Sequence, residues 1–261
     1  MTPAALLADG MSAVAFDLFG TLVRWSDETV PSAAHVLFHY RPELDRRQAA
    51  AVIALVEGRD GEAQFEAPPD AAEYRAWQDR SWGDAARAAG VALDEDLLRL
   101  MRLAVRVRKL ELFPDTLPAL RLLHEHGVPW ALCSNASPDV AAKFAGLLPA
   151  QFRPTASILS CEVGARKPHP RMYRALRDAV GTSPAETLFI GDRADCDYLG
   201  PMRAGFPAVL VARPGADRPV DAVATPPAAP PQHRWDSLGP LAGLLPDRGA
   251  RAITVERTHD D

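Results

Sequence analysis

Short apolar runs, each cut off by a polar residue or a glycine, recur along the chain at 13–18, 130–133, 157–159, 187–190 and 208–211. Runs of this length without polar alternation predict strands buried on both faces, as in a parallel sheet. Helical segments lie between them and carry their own punctuation. One opens at Asp115-Thr116-Leu117-Pro118 and stops at Gly127; the next opens at Ser137-Pro138-Asp139, a capping serine followed by a proline suited to the first helical position. Strands alternating with helices predict an α/β fold with a doubly wound parallel sheet flanked by helices.

The interval 25–112 breaks this rhythm. Its apolar spacing is helical over 46–57, 71–89 and 94–110 and shows no strand, so it reads as a helical insertion. Farther on, Pro214, Pro219, Pro226, Pro227, Pro230 and Pro231 punctuate an alanine-rich stretch that sustains neither helix nor central strand and reads as a linker or loop. Residues 234–245 predict a final helix packed back on the core, and 246–261 a flexible tail. The resulting division is a core of 1–24 and 111–245, an insertion of 25–110 and the tail; there is no internal repeat.

Composition narrows the classes. A chain of 261 residues, 48% hydrophobic, buries enough core for one α/β domain plus an insertion. The net charge is −5 and the 29 basic residues are scattered, which leaves no electrostatic footprint for nucleic acid or an anionic membrane. A small-molecule partner follows. The three cysteines, Cys133, Cys161 and Cys196, match no zinc spacing and point to a reducing compartment. Residues 1–10 carry no basic leader, and no apolar stretch reaches the length of a membrane span. The expectation is a soluble, cytoplasmic protein, with a homo-oligomer left open.

In open α/β sheets ligands bind beyond the carboxyl ends of the strands. Three such ends carry chemistry here: Asp17-Leu18-Phe19-Gly20-Thr21 after the first run, Ser134-Asn135 after the second, and Gly191-Asp192 after the fourth, followed by Asp195 and Asp197. Lys167-Pro168-His169-Pro170 stands between the last two, just before a helix. A carboxylate is already ionised at neutral pH and is a serviceable nucleophile. Asp17 is therefore the candidate nucleophile, Lys167 the candidate stabiliser of developing negative charge, and Ser134 and Asn135 candidate donors to transferring oxygens. Gly20 and Thr21 would form the tight turn after the nucleophile, and Gly191 would let the backbone approach Asp192.

Taken in order, these segments resemble the four motifs of the haloacid dehalogenase superfamily, over about residues 11–213. The resemblance implies a Rossmann-like core and a helical cap inserted after the first motif, where the interval 25–110 falls. It also implies Mg²⁺ held by Asp17, the Phe19 backbone carbonyl, Asp192 and Asp197, with Thr21, Ser134 and Asn135 around the substrate. The activity implied is hydrolysis of a small phosphorylated metabolite through an aspartyl phosphate.

One position departs from the pattern. Phosphatases of the family carry a second Asp two residues after the nucleophile as general acid and base, where this chain has Phe19. A positioned acid contributes about 10²–10⁴ in rate, so its absence costs roughly 3–5 kcal/mol of barrier. The family's dehalogenases have an aromatic residue there, because halide leaves without a proton, yet their fourth motif binds no metal while this chain keeps Asp192 and Asp197. Two carboxylates about 4 Å apart repel by about 4 kcal/mol at an effective dielectric near 20, and one lysine cannot neutralise three of them. A divalent cation resolves this, which favours phosphoryl transfer over dehalogenation; a non-catalytic binding module is the third reading.

Other polar and aromatic residues read as structural. Arg193 and Asp195 are solvated charges, Tyr173 is packing, Trp77 and Trp82 anchor the insertion, and His35, His39, His124, His126 and His169 serve the surface or cap helices. Cys133 is a buried strand residue, and Cys196 lies exposed near the site. Arg59, in a helix break at 57–59, is a candidate for gripping an anionic substrate.

Overall fold

The computed structural model describes residues 10–26, 33–45, 48, 71–88, 90–92, 94–213, 230 and 233–245. The chain enters through β1 (Ala13–Phe16), with every residue buried, and turns into β2 (Val23–Trp25). The helices whose full span lies among the described residues here are α1 (Ala33–Tyr40), α2 (Ala71–Ala88) and α3 (Glu95–Val107). The chain returns through β3 (Leu110–Leu112). Then come α4 (Thr116–Glu125), β4 (Trp130–Ser134), α5 (Pro138–Ala145), β5 (Ala156–Leu159), the short α6 (Ser160–Val163) and α7 (Pro170–Val180). Last are β6 (Thr187–Gly191), a π-helical turn (Ala194–Leu199), α8 (Gly200–Arg203), β7 (Ala208–Val211) and β8 (Arg234–Trp235).

Six strands form the main sheet in the order β5-β4-β1-β6-β7-β8, parallel at every pairing. The chain leaves β1 toward β4 and β5 on one side and later returns to β6 on the other. The order therefore reverses at β1, and the carboxyl ends of β1, β4 and β6 flank the crevice where such sheets bind ligands. Alternating residues feed two cores. Val14, Phe16, Leu132 and Ile190 join Leu120, Leu123, Val140 and Phe144 from α4 and α5. Ala15, Ala131, Cys133 and Phe189 join Met172, Tyr173 and Leu176 from α7.

Cap signals mostly act as their residue types predict. Ser137 Oγ accepts from Val140 N at the start of α5, and Asp94 accepts from Leu97 N at 2.7 Å at the start of α3, satisfying an otherwise orphaned amide. Asp115 differs. It makes no side-chain cap bond to α4, because its carboxylate pairs with Arg213 and accepts from Leu238 N.

Two expectations are corrected. The interval read as strandless is bounded by strands, since β2 and β3 pair antiparallel with Trp25 opposite Leu110; three residues are too few for alternation to register. Residues 234–245 do pack on the core through Leu238, Leu241 and Leu245, but as β8 and a 3₁₀ segment (Gly239–Leu244) rather than an α-helix. Gly239, Pro240 and Gly243 are poor α-helix formers. The leader 1–9, the helix at 46–57 apart from residue 48, Arg59, most of the proline-rich stretch 214–231, the tail 246–261, and the side chains of His35 and Trp82 lie outside the described residues. Among the described residues no helix is long and apolar enough to cross a membrane.

Candidate active site

The chain leaves β1 at Asp17, whose N–H donates to Ile190 O of the neighbouring strand at 2.9 Å. The next residues close a tight turn: Leu22 N reaches Leu18 O and Gly20 N reaches Val23 O, at 2.8 and 2.9 Å. Gly20 has φ +74°, and a Cβ there would stand 2.3 Å from Asp192 Oδ2. Glycine is thus required twice, for the backbone and for the room. At the end of β6, a Cβ on Gly191 would stand 2.4 Å from Asp197 Cβ. Glycine at 191 thus leaves room for the Asp197 side chain.

Asp197 rises from the π-helical turn Ala194–Leu199, a local widening that recurs at functional sites. It is fully buried, and Arg193 N donates to its Oδ2 at 2.9 Å. Lys167, itself 3% exposed, reaches between two of the acids: Nζ donates to Asp17 Oδ1 at 2.7 Å and to Asp197 Oδ1 at 2.5 Å. Burial alone would push the Lys167 ammonium down, but Asp17 and Asp197 beside it outweigh that and hold its pKa well above the usual lysine range. Burial pushes Asp197 up to about 6 despite Lys167. Burial, then the charges of Asp17 and Asp197, push Asp192 well above the usual carboxylate range.

Four residues read from three motifs, Asp17, Lys167, Asp192 and Asp197, thus meet in one place. One oxygen from each of the three carboxylates lies within 4.8 Å of the others. Three hard oxygen donors gathered in a buried site, with a single ammonium to offset them, suit a divalent cation such as Mg²⁺. Saturating Mg²⁺ is expected to raise the melting temperature by several degrees at pH 7.5, since ligand at 100 times its Kd adds about 2.7 kcal/mol. The shift shrinks toward pH 5. An acid whose folded pKa is raised binds protons more tightly in the folded state, so below about 6 at Asp197 protons stabilise the metal-free protein and compete with the cation. Differential scanning fluorimetry at both pH values reads this; a shift that grows on acidification would discard the cation site.

The remaining candidates are placed differently. Ser134 ends β4 and is 2% exposed. Thr21 is fully buried, and its Oγ1 has no hydrogen-bond partner among the described residues. Asn135, read as a donor to transferring oxygens, turns its amide onto Lys167: Oδ1 accepts from Lys167 N at 2.6 Å and Nδ2 donates to Lys167 O at 2.9 Å. Phe19 lies in the turn, bridged to Val23, with its ring 5.0 Å from that of Trp25. Arg193 and Asp195 pair with each other at 3.0 Å, and His169 Nδ1 caps α7 by accepting from Arg171 N.

Several supporting contacts had no signal in the sequence. Cys196, expected to be exposed, is 1% exposed, and its Sγ donates to Lys167 O at 3.2 Å. Tyr173 packs as expected but also donates its hydroxyl to Cys196 O at 2.6 Å, under Gly200, where a Cβ would meet that hydroxyl at 2.0 Å. Arg166 donates to Tyr74 Oη of α2 at 2.9 Å and lies over the ring of Trp77, joining the lysine loop to the inserted helices. Arg213 donates to Thr21 O from behind the nucleophile turn.

A family model for haloacid dehalogenase-like hydrolases matches residues 11–205. Phosphoserine phosphatase of Thermus thermophilus is 35% identical over 121 residues, covering 46% of this chain and 47% of that protein, so the match spans about half of that relative's length. Phosphoglycolate phosphatase of Escherichia coli is 28% identical over 205 residues, covering 75% of this chain and 79% of that protein. Among solved structures, L-2-haloacid dehalogenase from Xanthobacter autotrophicus is similar with a TM-score of 0.57 at 22% identity, covering 90% of this chain and 98% of that one, a likeness of fold.

Proposed function

The chain belongs to the haloacid dehalogenase-like hydrolases, and from that premise we propose that it is a Mg²⁺-dependent phosphatase of a small phosphorylated metabolite, working through an aspartyl phosphate on Asp17. The observation that carries the reading is the Lys167 ammonium bonded to Oδ1 of Asp17 and to Asp197. One carboxylate oxygen of Asp17 is fixed, and Oδ2 is left as the attacking atom. The phosphatase names of these relatives support the choice of substrate class.

In this mechanism Asp17 Oδ2 attacks phosphorus, and the ester or acyl oxygen leaves with its electron pair. Water then attacks phosphorus, releasing phosphate and restoring the Asp17 carboxylate. Ser134 donates to a transferring oxygen, Thr21 lends its buried hydroxyl, and Lys167 offsets the charge that develops. Asp17, Asp192, Asp197 and the Phe19 carbonyl would hold Mg²⁺, which when bound supplies charge neutralisation. Helices α1–α3 form a cap over residues 25–110 on a core of 1–24 and 111–245; the pairing of Trp25 with Leu110 supports this, because it brings entry and exit of the insertion side by side. Three buried free cysteines suit a cytoplasmic setting.

Phe19 favours a second reading, 2-haloacid dehalogenation, because departing halide takes no proton. A panel of phosphomonoesters and acyl phosphates separates the two. Hydrolysis is expected to require Mg²⁺ and to stop with EDTA. Metal-independent halide release from 2-haloacids would instead assign the dehalogenase, and ligand binding without either activity a binding module.

A further inference from the structure

We propose that Asn135 is a positioning residue that acts through Lys167: its amide clamps the lysine backbone so that one ammonium reaches Asp17 and Asp197 together, and it does not grip the transferring group. This rests on the phosphatase reading of the site.

The bonding pattern is specific to a clamp. A side-chain amide offers an acceptor oxygen and an NH₂ with two donors, and Asn135 applies the oxygen and one N–H to the N–H and the C=O of a single residue, at 2.6 and 2.9 Å. Two bonds to the same residue fix where its Cα sits and which way its side chain departs. A third bond comes from Cys196 Sγ, which donates to the same carbonyl at 3.2 Å. The Lys167 backbone is thus held between the end of β4 and the π-helical turn that carries Asp197.

Lys167 needs this support more than most side chains would. It is a flexible four-carbon stem whose head must sit at 2.7 Å from one carboxylate and 2.5 Å from another, and freedom in its backbone would be multiplied along the stem. Turning Asn135 toward a substrate would break both bonds and leave the Lys167 N–H without its acceptor in a residue 3% exposed, a state that folded proteins avoid.

A double-mutant cycle tests the assignment with acetyl phosphate in Mg²⁺ buffer. Asn135→Ala is expected to lower kcat by about 10–100-fold with KM little changed, the pattern of a lost transition-state interaction. In a Lys167→Ala background the same substitution should cost less than about threefold, because a residue acting through another loses its effect when that residue is gone. Losses that multiply would overturn the proposal, since Asn135 would then touch the substrate itself.

Amide hydrogen exchange at Lys167, read by NMR on the full chain with Mg²⁺, decides the matter without turnover. The Lys167 amide should be protected in the wild type, exchange about tenfold faster or more in Asn135→Ala at a similar melting temperature, and stay protected in Asn135→Asp, which keeps the acceptor. Unchanged exchange in Asn135→Ala overturns the clamp whatever the enzyme hydrolyses. Protection lost as expected, in a protein that hydrolyses no phosphate, keeps the clamp and discards the phosphatase reading alone.

Discussion

Asp17→Asn is expected to abolish turnover, with a loss on the order of 10⁴ or more in kcat, the scale seen when a covalent nucleophile is removed. A neutral amide is a poor nucleophile and cannot form the acyl phosphate that water later cleaves. The fold should not suffer. The oxygen of the introduced amide can still accept from Lys167 Nζ, which in the wild type bonds Asp17 Oδ1 at 2.7 Å, and the backbone N–H of position 17 that bonds Ile190 O is untouched. The charge of Asp17 is one of the causes that push Asp192 up, so its removal relieves repulsion. In EDTA the variant should therefore melt no lower than the wild type. Activity above about a hundredth of wild type in a folded variant would show that another group does the chemistry.

Much of this arrangement is legible in the amino-acid sequence. The runs at 13–18, 130–133, 157–159, 187–190 and 208–211 hold β1, β4, β5, β6 and β7, the first strand stopping two residues short of its run at Phe16, because strands buried on both faces need continuous apolar sequence. Strands β2, β3 and β8 are two or three residues long, and pairing rather than composition creates them. The same division runs through the site. Asp17, Lys167, Asp192 and Asp197 stand out because a charged group at the end of a buried strand or beside one is costly unless it has work or a partner. Their supports do not stand out. Whether Asn135 faces a substrate or Lys167, whether Cys196 is exposed, and whether Arg166 meets Tyr74 depend on side-chain directions set across separations of 32, 29 and 92 residues, which neither periodicity nor spacing encodes.

Phe19→Asp should speed the hydrolysis of unactivated phosphate esters by about 10²–10³, within the range a positioned general acid supplies. The residue follows the nucleophile by two and packs half-buried against Trp25, with ring centroids 5.0 Å apart. A carboxyl introduced there meets an apolar neighbour, which favours its neutral, proton-donating form. The lost ring contact costs about 1 kcal/mol of stability, which a melting curve reads separately from rate. The discriminating measurement is the dependence of kcat on the leaving group. Wild type should slow steeply as the leaving-group pKa rises, Phe19→Asp should flatten that slope, and acetyl phosphate should gain less than the alkyl esters in the same comparison, since its departing carboxylate takes no proton and only the water step profits. An unchanged slope with alkyl esters would mean that the native reaction expels a group stable as an anion, and would shift the balance toward acyl phosphates or halides as the bond this protein breaks.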